Sequence, residues 1–257
     1  MPVNYTVPAV ARAIQALDLL AVSEEGTSLA NMAKAMKIPK STLFRILVTL
    51  TAEGLAQHDQ TRKTYRLGMR LAQWGHAVLE RIDVRQIARP HLVDLARTTL
   101  GSYYLALLEG DDVILVDRAD TPDIWRMVTR LGSRPPAHAT ASGQVLLSGL
   151  DESGVKRIVD HHGLPRFTSK TIVSLPRLLQ RLAQAREDGF VVADGEHRPD
   201  MCSLSVPVYD HTGRIAAALS TALHSDRADK KNHIRKTIPT LKHQATLISH
   251  ELGYTAR

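Results

Sequence analysis

A basic, hydroxyl-rich helix face between residues 40 and 50 carries the side chains best suited to bind a polyanion. The inward face of this predicted helix is apolar at three- and four-residue spacing. The first turns of its outward face carry Lys40, Ser41, Thr42 and Arg45. Lysine and arginine anchor phosphates, and arginine with short hydroxyl groups also reaches base edges in the major groove of DNA. A solvated basic face on a small helical bundle is the plainer alternative.

The charge pattern around this helix favours nucleic acid as the partner. No acidic residue occurs from Gly26 to Ala52, so nothing on this stretch would repel phosphates. Two short β-prone stretches then flank a polar turn, residues 59–63, that carries Arg62 and Lys63 at its tip. Such a hairpin forms a basic wing that can reach a neighbouring groove or the DNA backbone. An ordinary solvated turn explains the tip alone equally well.

A second candidate site lies where a proline-containing loop, residues 132–140, runs into a predicted helix. The first N–H groups of a helix have no partner inside the helix and favour an anion such as a carboxylate. Here these groups belong to Ala141, Ser142 and Gly143, whose small side chains let a ligand approach the backbone. The alternative is a capped loop that binds nothing.

Cys202 is the chain's one cysteine, and it raises the possibility of a cysteine-dependent hydrolase acting on a small substrate. A lone cysteine in an apparent strand is more typical of a small core residue. The sequence contains no GxSxG, Walker, HExxH or CxxC motif. We therefore predict that the protein is not an enzyme and holds no metal or cofactor. A DNA-packaging protein without a ligand is a third class, but it leaves a sensor-sized second half unexplained.

The elements that position the first cluster read as a winged helix-turn-helix over residues 1–67. Val10, Ile14, Leu17 and Leu20 predict the inward face of a first helix. Ser28 can cap a second helix, which Ile38-Pro39 ends before the basic third helix begins. A linker helix is expected over residues 68–83. Its apolar stripe, which includes Leu71 and Trp74, either pairs between subunits or packs on its own second domain.

Residues 84–257 alternate strand-like and helix-like segments. Helices are predicted at 90–100, 145–150 and 175–188, followed by a final one that includes Ile234 and Leu252. Strands are predicted at 103–109, 113–117, 125–130, 190–194, 203–209 and 215–223. Hairpin connections with flanking helices are typical of the α+β class, so the sequence predicts an α+β sensor domain.

The bulk composition is that of a globular chain with a basic balance. The 257 residues carry a formal net charge of +7, which suits nucleic acid first and an anionic membrane second. No apolar run approaches the roughly 20 residues that a membrane-spanning helix needs. The first five residues lack the features of a signal peptide. We therefore expect a cytoplasmic protein with no membrane partner.

The stretch that follows Ser28, with its "PKSTLFRIL" core and closing "YRLG", resembles the DNA-binding domain of the IclR family of bacterial regulators. The similarity covers nearly the whole chain. It implies a winged helix-turn-helix, a linker helix that helps dimerisation, and a C-terminal GAF-like sensor domain. It also implies a palindromic double-stranded DNA operator, a small-molecule effector, and a homodimer or a tetramer of dimers.

The resemblance also assigns effector positions one residue at a time, because the run from Gly132 to Leu147 matches the family's pocket loop. Met127 falls on an apolar wall position, while Ala141 and Ser142 fall on the backbone pair that binds the effector carboxylate. Ser203 and Ser220 fall on small polar positions that contact the effector. Apart from the resemblance, Arg130 and His138 can add a charge partner, and a structural role is the equal alternative for each of them.

Two residues depart from the family pattern. A second serine on the last strand is replaced by Ala222, and Asp200 stands where glycine is usual. The run "DGEHRPDMCSLSVPVYDHTGRIAAAL" resembles most the branch that controls degradation of aromatic acids. We therefore predict a transcriptional regulator, by default a repressor, whose operator binding is modulated by a small carboxylate such as an aromatic acid.

Overall fold

The protein folds as two compact units, Met1–Arg81 and Ile82–Arg257. The computed structural model describes residues 6–23, 25–79, 83–99, 101–121, 130–226 and 230–255. In this part of the chain, no helix is long and apolar enough to cross a membrane.

The first unit combines helices with a small antiparallel sheet. Its elements, in chain order, are α1 (Pro8–Ala21), β1 (Thr27–Ser28), α2 (Leu29–Met36), α3 (Lys40–Ala52), β2 (Ala56–Asp59), β3 (Thr64–Leu67) and α4 (Arg70–Leu79). The strand order is β1-β3-β2. The predicted winged helix-turn-helix is therefore confirmed, with β2 and β3 forming the wing. Helix α4 lies inside the predicted linker segment 68–83, whose connecting role stays a prediction.

Local signals set the ends of α2 and α3. The Ser28 hydroxyl accepts a hydrogen bond from the Asn31 backbone N–H at 3.3 Å, which is the predicted cap. Lys37 ends α2 in the left-handed conformation, with φ of 53°. Pro39, in an extended conformation, then immediately precedes α3. The turn between the two helices is therefore short and defined, and it presents the start of α3 at the surface.

The prediction for α1 was partly wrong. Val10 and Ile14 were expected to face inward, but they are 57% and 55% exposed. The buried residues of α1 are Ala16 and Leu20, which pack with Met32, Leu43 and other core residues of α2 and α3. Because the buried face is centred on these two residues, Val10 and Ile14 fall beyond its edge.

The second unit is built on a five-stranded antiparallel sheet of order β5-β4-β8-β7-β6. Its strands are β4 (Ser102–Glu109), β5 (Asp112–Asp120), β6 (Val191–Asp194), β7 (Met201–Tyr209) and β8 (Ile215–His224). Its helices are α5 (Asp83–Thr99), a 3₁₀ helix (Ala137–Ala139), α6 (Ala141–Ser148), α7 (Glu152–His162), α8 (Leu175–Asp188) and α9 (Lys230–Glu251). Sheet and flanking helices confirm the α+β prediction.

Three helices of this unit differ from the sequence expectation. Helix α5 begins at Asp83, seven residues before the predicted start, and contains Pro90 in its interior. Helix α6 begins at Ala141, four residues before the predicted start, because the Thr140 hydroxyl caps it by accepting from Gly143 N–H at 3.3 Å. Helix α7 was not predicted; Asp151 caps it by accepting from Gly154 N–H at 2.8 Å. The predicted strand 125–130 falls outside the described residues except for Arg130, which is not in a strand.

Helix α6 sits at the centre of the unit. Ala141, Val145 and Leu146 pack in one core cluster with Tyr104 and Ala106 of β4. The helix start also lies directly against the 3₁₀ helix, because a Cβ atom at Gly143 would overlap the backbone of Ala137. This close approach fixes where the first N–H groups of α6 lie.

Gly143→Ala should therefore destabilise the second unit. We expect a loss of roughly 1–3 kcal/mol in the free energy of unfolding, typical of overpacking against a backbone that cannot move aside. Gly75→Ala is the matched control, because nothing lies within 4 Å of a Cβ at that exposed position in α4. It should be stabilising by about 0.5–1 kcal/mol through helix propensity. Denaturant unfolding of both variants checks this, and an equal effect at the two glycines would contradict it.

Candidate functional site

The first candidate site is the outer face of α3. Lys40, Ser41 and Arg45 are exposed there, while Thr42 is half-buried at the edge of the core. The buried residues of the helix, Leu43, Leu47 and Leu50, hold it to the rest of the unit. The structure thus places three of the four contact residues predicted on α3 on one solvent-facing surface. Their contact with DNA stays a prediction.

The wing tip is ordered by its own aspartate. A carboxylate oxygen of Asp59 accepts hydrogen bonds from the backbone N–H groups of Thr61 and Arg62, at 2.9 and 3.0 Å. The bond from Arg62 lowers the pKa of the Asp59 carboxyl. Lys63 adopts a left-handed conformation with φ of 53°. Arg62 and Lys63 are both exposed, so the turn presents two cations on a defined backbone.

The second candidate site is a cavity of about 690 Å³ in the second unit. Five of the seven predicted effector residues line it: Arg130, His138, Ser142, Ser203 and Ser220. Ala141 is fully buried behind the wall. Met127 lies outside the described residues. The cavity therefore collects residues from segments that are almost a hundred positions apart in the chain, and their role as ligand contacts stays a prediction.

One end of the cavity meets the start of α6. The Ala141 backbone N–H donates to the Ser203 hydroxyl over a long 3.4 Å, and Gly143 N–H is taken by the Thr140 cap. Ser142 N–H has no hydrogen-bond partner among the described residues. A half-buried donor at a helix start, beside a cavity, favours a negatively charged group.

The polar positions on β7 and β8 are only partly available. The Ser220 hydroxyl lies 2.8 Å from that of Ser205, which is fully buried. Ser203 is paired across the sheet with Ala222, which also lines the cavity. The departure from the family pattern at Ala222 therefore places a methyl group, instead of a second hydroxyl, beside Ser203.

Three aromatic rings form another wall of the cavity, and only one of them, that of His138, belongs to a predicted site residue. The rings of His138 and Phe167 lie 5.8 Å apart, and Phe167 makes an edge contact with His197 at 4.9 Å. Burial lowers the pKa of both imidazoles, so both rings are neutral near pH 7. His138 Nε2 lies 3.0 Å from the carbonyl oxygen of Pro165 and can donate to it. Neutral rings present apolar faces to a ligand.

A buried polar network holds this wall in place. Gln144 Nε2 donates to the His138 carbonyl at 2.8 Å and to the Glu196 carboxyl group at 2.6 Å. Arg181 donates to the other Glu196 oxygen at 3.2 Å. Burial raises the pKa of Glu196. The network connects the start of α6 with α8 and with the segment before β7. It therefore holds the backbone of His138 and the side chain of Glu196, which directly precedes His197.

The second departure, Asp200, binds a residue of the cavity. Its carboxylate accepts from Arg198 Nε at 3.2 Å and from Arg198 Nη2 at 2.9 Å. Across the opening, Arg134 pairs with Asp112 at 2.6 Å. Both arginines therefore have carboxylate partners within the chain itself.

Cys202 offers no support for a nucleophile. Its side chain is fully buried, and burial raises the pKa of the thiol to about 11. Cysteine attacks as the thiolate, which is scarce at neutral pH for a thiol with this pKa. The alternative of a cysteine-dependent hydrolase therefore lacks a reactive group at the predicted position.

Comparison with known proteins decides the family. The IclR helix-turn-helix domain matches residues 9–60, and the C-terminal domain of the bacterial transcriptional regulator IclR matches residues 76–250. The chain belongs to the IclR family of bacterial transcriptional regulators. The transcriptional regulator XynR of Escherichia coli is 32% identical to it over 97% of this chain and 99% of its own length. The E. coli transcriptional repressor AllR is 31% identical over 85% and 81%.

Solved IclR structures agree with the fold over both units. The Thermotoga maritima IclR superposes with a TM-score of 0.79 at 28% identity, over 96% of this chain and 99% of that one. An IclR homologue from Microbacterium hydrocarbonoxydans, solved in complex with 4-hydroxybenzoate, superposes with a TM-score of 0.80 at 25% identity, over 95% and 98%. Each unit of this IclR regulator thus has the fold found in its relatives.

The neutral histidines of the cavity wall predict an acid-sensitive second unit. Unfolded histidine titrates near its ordinary pKa of about 6.5, whereas His138 and His197 in the folded chain resist protonation. Stability should therefore be complete above about pH 6.5 and decline as the pH falls below it. His138→Gln should weaken this decline, and His243→Gln, at an exposed position, should not. Melting temperatures between pH 8 and 5.5 test this; identical slopes for the two variants would contradict it.

Proposed function

We propose that this IclR regulator binds a palindromic operator through α3 and the wing, and that a small carboxylate in the 690 Å³ cavity changes that binding. The observation that carries the proposal is the unpaired Ser142 N–H at the start of α6, opening on a cavity with apolar and aromatic walls. A carboxylate satisfies this donor, and the apolar remainder of the ligand displaces water from the walls.

An aromatic acid fits this arrangement best. The volume lies within the usual range of small-molecule sites, about 300–1,000 Å³. His138, Phe167 and His197 offer ring faces and edges, which pair favourably with another aromatic ring. The Microbacterium homologue, which binds 4-hydroxybenzoate, supports the same class of ligand.

The proposed mechanism places two winged domains of a dimer on the two half-sites of the operator. The effector must bind one arrangement of the dimer better than the other, since only a difference in affinity can shift the equilibrium. The name of AllR, a transcriptional repressor, supports repression as the default. We infer that the regulator acts in the cytoplasm, as a homodimer or a tetramer of dimers, without a cofactor or a catalytic step.

Arg45→Ala should weaken operator binding. If Arg45 contacts a base or phosphate, its loss should cost roughly 1–3 kcal/mol, or about 5- to 150-fold in Kd. Arg97→Ala is the matched control, because Arg97 is an exposed arginine on α5 of the second unit. Fluorescence anisotropy at fixed salt on an operator selected from random duplexes provides the measurement. Equal affinities for the wild type and the Arg45 variant would remove Arg45 from the interface.

Ala141→Pro should weaken carboxylate binding at the start of α6. Proline is tolerated at the first position of a helix, and Thr140 already has the extended conformation that proline requires before it, with ψ of 149°. The substitution removes the Ala141 N–H, the second backbone donor at this end of the cavity, which Ser203 accepts only over a long 3.4 Å. The Ser142 N–H stays, so a carboxylate that binds both donors should lose one of its two backbone hydrogen bonds, and affinity for 4-hydroxybenzoate should fall about tenfold or more.

The neutral amide of the same acid is the matched ligand control. In the wild type it should bind more weakly than the acid, and in Ala141→Pro this difference should shrink. Calorimetric titration measures both, with thermal melting to check the fold. A wild type that binds the acid and the amide equally well would contradict recognition of charge at the helix start.

A further inference from the structure

Two large apolar side chains lie on the solvent-facing side of α3, among the polar residues that are predicted to contact DNA. Phe44 is 50% exposed and Val48 is 48% exposed. They are one helical turn apart. Ser41 lies three residues before Phe44, and Arg45 lies three residues before Val48, so the four side chains share one face of the helix. The surface that carries the predicted DNA contacts is therefore apolar along its middle.

The fold of the first unit does not account for this surface. The core uses Leu43, Leu47 and Leu50 of α3, and neither Phe44 nor Val48 belongs to the core cluster. A contiguous exposed apolar patch, unlike a single exposed side chain, usually marks an interaction site. An isolated exposed valine needs no explanation, but the pair forms a continuous apolar strip on an otherwise cationic helix.

The charge around the apolar strip indicates which kind of partner binds it. Residues 26–52 contain no carboxylate, and Lys40 and Arg45 flank Phe44 on the exposed face. The strip is therefore complementary to a polyanion that also offers an apolar group. Double-stranded DNA has both, because the 5-methyl group of thymine projects into the major groove between the hydrogen-bonding edges of the bases.

We propose that Phe44 is a specificity-determining residue that reads a thymine through contact with its 5-methyl group, with Val48 extending the apolar surface along the groove. This inference rests on the proposed function, in which α3 enters the major groove. Phe44 is suitably placed for this contact, because α3 is the second helix of the helix-turn-helix. The first turns of that helix contact base edges. Phe44 lies in the second turn, beside Arg45, so an apolar and a hydrogen-bonding contact can fall on adjacent base pairs.

Replacing thymine by deoxyuridine tests this contact directly, because it removes the methyl group and nothing else. The operator is first selected from random duplexes with the full-length wild type. Each thymine is then replaced in turn, and Kd is measured by anisotropy at constant salt for the wild type, Phe44→Ala, Phe44→Leu and Val22→Ala. Val22 is 74% exposed at the end of α1, so Val22→Ala controls for loss of an exposed apolar side chain elsewhere in the unit.

We expect one thymine in each half-site whose replacement weakens wild-type binding about fourfold, the effect of burying one methyl group. The same replacement should have no effect in Phe44→Ala, a partial effect in Phe44→Leu and the full effect in Val22→Ala. Melting temperatures should be close to wild type for all three variants, because none removes a core side chain.

The outcomes separate this inference from the proposed function. If the wild type selects no specific duplex, DNA reading by α3 fails as a whole. If it selects one, but every deoxyuridine replacement is neutral or has the same effect in the wild type and Phe44→Ala, the operator is read without Phe44 and the inference is overturned.

Discussion

The start of α6 and the 3₁₀ helix before it approach each other so closely that Gly143 has no room for a side chain. This contact fixes the loop that leads to the helix, and through the loop it fixes the donors at the cavity end. It also brings Gln144, the next residue, to the buried position from which it binds the His138 carbonyl and Glu196. A displacement of this one contact would therefore move the polar end and the aromatic wall of the cavity together.

The two units use their cations in different ways. Lys40, Arg45, Arg62 and Lys63 have no ion-pair partner within the described ranges of the first unit. At the cavity opening, by contrast, Arg134 and Arg198 are bound to Asp112 and Asp200. Unpaired surface cations attract phosphates and release counterions, whereas paired ones contribute little long-range field. The basic net charge of the chain is thus most effective on the helix-turn-helix surface.

Local signals explain which elements could be predicted from the sequence. Ser28, Pro39 and the polar turn 59–63 act within a few residues, so the helix-turn-helix and its wing were found. The face of α1 was misassigned because apolar residues cover much of its circumference, and neighbouring helices decide which of them are buried. Helix α7 was missed although Asp151 and Gly163 mark its two ends, because few apolar positions lie between them.

The cavity wall shows more clearly which contacts could not be predicted from the sequence. The loop into α6 has a recognisable pattern, but Phe167 and His197 come from segments between α7 and β7 that have no periodicity of their own. The register of the sheet and the Glu196 network bring His197 to His138. The Thr171 hydroxyl places Phe167, because it accepts from the Phe167 N–H at 3.1 Å and donates to the Glu196 carbonyl at 2.6 Å. Tertiary contacts of this kind leave no trace in residue spacing, and so the loop residues that line the cavity could be predicted while the opposite wall could not.

The methyl group of Ala222 beside Ser203 affects how selective the response can be. A site that offers a fixed hydrogen-bond partner strongly rejects ligands that lack the matching group. An apolar patch, by contrast, discriminates only weakly between a hydrogen and a hydroxyl substituent. With one of two hydroxyls replaced, the position beside Ser203 offers a methyl group to the ligand, although the hydroxyls of Ser203 and Ser220 still line the cavity. Under the proposed function, this position would tolerate both a hydrogen and a hydroxyl substituent, so the regulator would respond to a group of related ligands instead of to a single compound.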